Sequence, residues 1–115
     1  MPSELDSHDD EALFRCDVAR DGRSARLRAL GALDLATVSE LDAAVAELLA
    51  EGFQRLVLDL SALEFIDSTG LRSILELDAR SRQDGFSVAF VRGPRAVQRV
   101  FEITGTAPHL RFVEI

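Results

Sequence analysis

The sequence contains a single cysteine, no lysine and no long apolar run. Because Cys16 has no second cysteine to pair with, an internal disulfide is excluded, which fits a reducing compartment. No apolar run approaches the roughly 18 residues that a membrane-spanning helix needs, and the N-terminus lacks a signal-peptide pattern. All 13 basic residues are arginine, which we interpret as a genomic bias. We therefore expect a cytoplasmic protein without membrane insertion.

Motifs of enzymes and metalloproteins are also missing. The chain has no Gly-x-Gly-x-x-Gly, no P-loop and no pair of cysteines or histidines at metal-binding spacing. The two histidines, His8 and His109, lie among no plausible ligands and are interpreted as surface residues. Ser68 lacks the Gly-x-Ser-x-Gly setting of a hydrolase nucleophile, and the carboxylates form no distinctive acid–base pair. We therefore predict a protein that is not an enzyme and binds no metal or cofactor.

Negative charge dominates the sequence. A net charge of −7 argues against a nucleic-acid-binding protein that relies on phosphate contacts. Residues 1–11 hold five acidic residues and no basic one, which leaves a net charge of −2 for the rest. Residues 1–11 are therefore predicted to form a disordered acidic arm, with an interaction tail as the alternative, and residues 12–115 a single domain.

The predicted domain begins with a hairpin. Phe14, Cys16 and Val18 alternate with other residues at the period of a half-buried strand, and Asp21-Gly22 is a hairpin turn signal. The returning strand places Leu27 and Ala29 on its apolar face. Cys16 also falls on an apolar face, where we expect an inert thiol, since no basic neighbour lowers its pKa.

Helices and strands then alternate. Thr37 and Glu40 predict a capping box at the start of the first helix, which ends at Gly52. The remaining predicted elements are strands at 55–60, 86–91 and 110–115, a helix at 68–82, and a helix that begins at Gly93-Pro94, with the proline at its first position, and closes at Gly105. Right-handed crossovers make the later strands parallel. The order ββαβαβαβ thus predicts an α/β fold with one mixed β-sheet and helices packed on it.

Residues 56–71 organise the chain. Leu56, Val57, Leu58 and Leu60 form an apolar run typical of a strand that is covered on both faces, and the apolar residues at 63, 65 and 66 are expected to pin down a connecting loop. Asp67, Ser68 or Thr69 can then cap the next helix. A hydroxyl group is thereby placed at a helix N-terminus, beyond the carboxyl end of a central strand, where open α/β sheets commonly bind their ligands.

This stretch resembles the signature of the bacterial anti-sigma factor antagonists, which are small STAS domains. The resemblance covers residues 12–115. It rests on Asp-Ser-Thr-Gly-Leu at 67–71, preceded by Val-Leu-Asp-Leu-Ser at 57–61 and Phe65-Ile66, with weaker matches at Gly31-x-Leu33-Asp34, Thr37 and Phe101-x-x-Thr104-Gly105.

The resemblance implies a phosphorylation switch. In the family, the serine at the position of Ser68 is phosphorylated by a cognate anti-sigma factor serine kinase. The unphosphorylated domain binds that kinase and frees a sigma factor, and a PP2C-type phosphatase reverses the modification. The partner-binding residues that the resemblance implies are Leu33, Asp34, Thr37, Asp67, Ser68, Thr69 and Gly70. Arg72 departs from the small residue that is common in the family and is expected at the edge of this interface. Thr106 is also a departure, where an apolar residue is more usual.

Other interpretations stay open at this point. Ser68 could be an ordinary N-cap, Thr69 could be a second phosphoacceptor, and Asp34 could simply solvate a turn. STAS domains also serve as non-switching accessory subunits of ABC lipid-transport or stress-signalling complexes, in which Ser68 would be a packing or docking residue. A small-molecule or nucleotide sensor would need a cavity.

Overall fold

The computed structural model describes residues 14–114, so the predicted acidic arm at 1–11 lies outside the described residues. Its elements, in chain order, are β1 (Arg15–Asp21), β2 (Ser24–Leu33), α1 (Val38–Ala50), β3 (Arg55–Ile66), α2 (Ser68–Asp84), β4 (Ser87–Val91), α3 (Arg95–Ile103), a 3-10 turn (Ala107–His109) and β5 (Phe112–Val113). The predicted order ββαβαβαβ is confirmed, with the 3-10 turn as an addition. No helix among the described residues is long and apolar enough to cross a membrane.

The five strands form one mixed sheet in the order β1-β2-β3-β4-β5. β1 and β2 pair antiparallel around a turn in which Gly22 has a φ of 61°, as the Asp21-Gly22 signal predicts. The pairs β2–β3, β3–β4 and β4–β5 are parallel. Because the strand order follows the chain order, right-handed crossovers place all three helices on one face of the sheet. The predicted mixed α/β sheet is therefore confirmed.

The core lies between that face and the helices. Alternate residues of β2, among them Leu27, Ala29 and Leu33, are buried, as the period-2 pattern requires. The largest fully buried side chains include Phe90, Phe101, Leu41, Leu48, Leu58, Leu60, Leu63 and Ile74. Cys16 is partly buried against this core. Burial, assisted by Glu40 and Asp17, raises the pKa of its thiol to about 11, so the thiol is protonated at neutral pH.

The third strand is longer than predicted. The predicted loop at 61–66 is wrong, since β3 continues to Ile66 and pairs with β2 as far as Leu33. The register with β2 shifts twice, so that β3 carries extra residues between Asp59 and Ala62 and again between Leu63 and Phe65. Such bulges break the period of two. The buried residues at 60, 63 and 66 are consequently three apart, a spacing that a regular strand would not show.

A buried ion pair adjoins the first of these irregularities. The Asp59 carboxylate is fully buried, and its Oδ2 accepts a hydrogen bond of 2.6 Å from Nη2 of Arg26 on β2. Its Oδ1 accepts a hydrogen bond of 2.9 Å from the backbone N–H of Ser61. Asp59 therefore satisfies the Ser61 N–H within the bulge, while the positive charge of Arg26 balances the negative charge of its carboxylate.

The remaining differences from the sequence prediction concern element ends. α2 runs to Asp84 rather than residue 82, and Gly85 follows it in the left-handed conformation with a φ of 79°. Pro94 occupies the N-cap position of α3 instead of the first helical position. β5 covers only Phe112–Val113, because a 3-10 turn precedes it.

Candidate functional site

The carboxyl ends of β2 and β3 and the start of α2 meet at one edge of the sheet. Leu33 and Ile66 are register partners at the ends of the two strands. The backbone N–H of Asp67 then donates a 3.2 Å hydrogen bond to the carbonyl of Leu33. The turn into α2 is thus fixed to β2 as well as to its own strand, which holds the following residues at this edge.

Asp67 caps α2. Its backbone is extended, and its Oδ1 accepts a hydrogen bond of 2.9 Å from the N–H of Gly70. Of the three residues that could cap this helix, Asp67 is therefore the N-cap, while Ser68 and Thr69 are the first two helical residues. The interpretation of Ser68 as an ordinary N-cap is wrong.

Ser68 is exposed and Thr69 is half-buried. Among residues 14–114, no hydrogen bond engages the Ser68 hydroxyl, whereas the neighbouring Asp67 carboxylate accepts the N–H of Gly70. The Ser68 hydroxyl is therefore accessible from solvent and makes no structural contact that a modification would break.

Gly70 is buried, and its lack of a side chain serves packing within the domain. A Cβ at this position would overlap the backbone carbonyl of Leu33 and would lie 2.9 Å from Cγ1 of Ile66. The space that a Cβ would fill is thus already occupied by the end of β2. Gly70 allows the first turn of α2 to lie directly against the end of β2.

The loop between β2 and α1 is closed by side chains. The Thr37 hydroxyl donates a 2.7 Å hydrogen bond to the carbonyl of Ala32 and accepts one of 2.9 Å from the N–H of Asp34. The Asp34 carboxylate accepts a hydrogen bond of 3.0 Å from the N–H of Ala36. Thr37 occupies the N-cap position but makes no capping hydrogen bond to α1, so the predicted capping box with Glu40 is wrong. The hydroxyl is already used to close the loop.

Two exposed apolar residues at this edge are not among the predicted partner-binding residues. Leu35 in the β2–α1 loop is 76% exposed, and Phe65 at the end of β3 is 52% exposed. Phe65 is the register partner of Ala32, and Leu35 follows the end of β2 by two residues. In the sequence, only the position of Leu35 between a strand and a helix indicates its exposure, whereas Phe65 is predicted to help pin down a connecting loop.

The predicted site residues fall into two groups. The first group lies toward the surface. It consists of two exposed residues, Ser68 and Arg72, and three half-buried ones, Asp34, Asp67 and Thr69. The other three, Leu33, Thr37 and Gly70, are buried and support the edge from beneath. Below them, the Ser73 hydroxyl donates a 3.1 Å hydrogen bond to Oδ1 of Asp42, which links α2 to α1.

Other kinds of site find little support in the described residues. No group of three or more His, Cys, Asp or Glu among residues 14–114 is placed to hold a metal ion. An open groove of about 460 Å³ lies between α3 and β5, and its lining includes Arg92, Gln98 and Phe112 but none of the predicted site residues. The predicted site residues meet instead at the edge around Ser68, which is the candidate functional site.

The family model described as "Mlab, STAS domain" matches residues 16–111. This chain belongs to the STAS domain family. The match runs from β1 to the residue before β5, so it includes the whole candidate site. The family membership that residues 67–71 predict is confirmed.

Two curated relatives and two solved structures of one protein extend the comparison. RsfB of Mycobacterium tuberculosis, named an anti-sigma-F factor antagonist, is 43% identical over 60 residues, which are 52% of this chain and 47% of RsfB. BtrV of Bordetella bronchiseptica is 35% identical over 75 residues, 65% of each chain. The matched stretches thus span less than two thirds of either relative. This STAS domain is a homologue of anti-sigma factor antagonists.

SpoIIAA of Bacillus, an anti-sigma factor antagonist, has the same fold. Its unphosphorylated form superposes with a TM-score of 0.70 at 19% identity, covering 87% of this chain and 89% of SpoIIAA. Its phosphorylated form superposes with a TM-score of 0.65 at 18% identity, covering 87% and 92%. The STAS fold therefore exists in both a phosphorylated and an unphosphorylated protein.

Proposed function

We propose that this STAS domain is an anti-sigma factor antagonist controlled by phosphorylation of Ser68. The unphosphorylated domain binds an anti-sigma factor serine kinase in the cytoplasm and thereby frees a sigma factor for transcription. The kinase transfers the γ-phosphoryl group of ATP to Ser68, the domain then dissociates, and a PP2C-type phosphatase restores it. The domain acts by binding and has no catalysis of its own.

The observation that carries this proposal is the contrast between Ser68 and its neighbours. Asp67 caps α2 and Gly70 packs against Leu33, whereas the hydroxyl between them is exposed. A phosphate at this position adds roughly −1.5 to −2 charge near the free amides of a helix N-terminus, which tolerate an anion. The fold should survive the modification, while a partner that contacts Ser68 would have to desolvate the new charge.

The proposed partner surface consists of Asp34, Leu35, Phe65, Ser68 and Arg72. Leu35 and Phe65 supply apolar area, and Asp34 with the nearby Asp67 and exposed Glu64 gives the edge an acidic character. We expect a partner surface with an apolar depression flanked by basic residues. Leu33, Thr37 and Gly70 position this surface from within the domain.

A pull-down from source cells tests the switch. Wild-type and Ser68→Ala baits should retain the anti-sigma factor kinase, and Ser68→Glu should retain at least about tenfold less, since it places one negative charge where phosphorylation places nearly two. Partners are identified by mass spectrometry. Ser87→Glu is the matched control, because it adds the same charge at the exposed start of β4, at the opposite edge of the sheet.

Two outcomes contradict the switch. Equal capture of an ABC ATPase or a membrane complex by all four baits would favour a non-switching accessory subunit. Phosphorylation of Ser68→Ala by the cognate kinase to one phosphate per chain would show that the acceptor is another residue, with Thr69 the first to examine.

Apolar contacts should provide much of the affinity for the kinase. Replacing Leu35 and Phe65 together by alanine should weaken binding about tenfold or more, because buried apolar side chains dominate interface energies. Titration calorimetry with the purified kinase measures the change. Ile103→Ala is the control, since Ile103 at the end of α3 is 71% exposed and lies outside the proposed surface. Equal losses in the two variants would place the partner surface elsewhere.

A further inference from the structure

Ser68 and Arg72 lie one turn apart on the same side of α2. Both are exposed, and Ser68 is the first residue of the helix. Residues four apart on a helix are neighbours, with Cβ atoms about 5–6 Å apart. Helical side chains also tilt toward the N-terminus of their helix, so the long Arg72 side chain extends back over the turn that carries Ser68.

The acidic groups around Arg72 compete weakly for its guanidinium. The first turn of α2 contains no acidic residue. The Asp67 carboxylate accepts the Gly70 N–H, and Asp42 of α1 accepts the Ser73 hydroxyl. Glu76 follows Arg72 by four residues, which is the less favourable order for a helical ion pair. Asp34 accepts hydrogen bonds within its own loop.

We propose that Arg72 is the intramolecular counter-ion of phosphorylated Ser68. A guanidinium group binds phosphate oxygens through two parallel hydrogen bonds, which a lysine or a neutral side chain cannot reproduce. The inference rests on the proposed function, in which Ser68 is the phosphoacceptor. Its consequence is that one modification changes two groups of the partner surface, because the phosphate adds negative charge and also withdraws the exposed Arg72 from contact with the kinase.

The test installs phosphoserine at position 68 during translation, so that no kinase is needed. ³¹P NMR then follows the second ionisation of the phosphate, with a pKa of roughly 6 in an unperturbed phosphoserine. A neighbouring cation favours the dianion, so this pKa should be lower in the wild-type background than in Arg72→Gln by about half a pH unit. Arg80→Gln, which removes an exposed arginine two turns further along α2, should leave it unchanged.

The outcomes separate this inference from the proposed function. Equal pKa values in the wild-type and Arg72→Gln backgrounds, with both proteins folded by circular dichroism, would overturn the counter-ion role even if the kinase phosphorylates Ser68. A phosphate pKa in Arg72→Lys between the wild-type and Arg72→Gln values would support the counter-ion role, since lysine keeps the charge but loses the paired geometry. If the phosphate pKa is lower in the wild type than in Arg72→Gln but no anti-sigma factor kinase binds the protein, the counter-ion role is supported and the proposed function is refuted.

Discussion

Replacing Arg26 by glutamine should lower the free energy of unfolding by about 2–3 kcal/mol at pH 7. The substitution leaves the fully buried Asp59 carboxylate without its cation, while Ser61 still donates to it. Loss of one partner of a buried pair typically costs about 3–5 kcal/mol. The Arg26 side chain is 43% exposed, so water can partly replace it, which places the expected loss at or below the lower end of that range.

The pH dependence of this loss distinguishes an ion pair from simple packing. Burial tends to raise the pKa of Asp59, but hydrogen bonds from Arg26 and Ser61 outweigh it and hold the pKa below its ordinary value. The carboxylate therefore stabilises the fold above about pH 4, and this contribution is lost as the pH falls through the folded-state pKa. Without Arg26, burial prevails and the pKa rises. The difference between the two proteins should thus narrow on acidification.

Urea denaturation followed by circular dichroism at pH 7, 5 and 3.5 measures both effects. Arg15→Gln is the control, because Arg15 forms an exposed ion pair with Asp17 at 3.0 Å and should change stability by less than about 0.5 kcal/mol. A loss for Arg26→Gln that stays constant from pH 7 to 3.5 would show that Arg26 acts through packing alone.

Gly70→Ala should destabilise the domain by about 2 kcal/mol and also weaken the candidate site. Alanine gains up to about 1 kcal/mol of helix propensity over glycine, which alone would stabilise α2. The added Cβ, however, overlaps the backbone carbonyl of Leu33, which cannot rotate away as a flexible side chain would. That carbonyl also accepts the Asp67 N–H, so the start of α2 must move away from β2 and carry Ser68 with it.

Denaturation curves and binding of the anti-sigma factor kinase measure the two effects of Gly70→Ala. Ser68→Ala serves as the control for stability, since it alters the same turn of α2 at an exposed residue and should stay within about 0.5 kcal/mol of wild type. A gain in stability for Gly70→Ala would mean that helix propensity outweighs the contact with β2 and that the two elements separate at little cost.

Sequence periodicity predicts the topology well because most elements keep a regular spacing. β2 and α1 show their periods of 2 and 3.6 clearly, and the Asp21-Gly22 turn requires a positive φ that glycine supplies. The end of β3 could not be predicted in this way. Its two register shifts place buried residues three apart, and only pairing with the full length of β2 reveals the strand.

The sequence also predicts the candidate site only in part. The Asp-Ser-Thr-Gly-Leu block locates the turn and the hydroxyl, but several residues can satisfy the same capping preference, and only the hydrogen bond to Gly70 identifies Asp67 as the cap. Thr37 matches a capping box in sequence, yet its hydroxyl is used by the loop that precedes the helix. The exposure of Leu35 and Phe65 depends on where two strand ends meet, which periodicity does not encode.

The proposed surface is drawn entirely from residues 34–72, and β1, β4, α3 and β5 contribute none of its residues. Its exposed side chains at 35, 65 and 72 rest on a frame of buried residues that includes Leu33, Ile66 and Gly70. After a gene duplication, two paralogues can therefore acquire different partners through a few exposed substitutions while the frame is conserved. Parallel signalling pathways in one cell would then be insulated from cross-talk at little risk to folding.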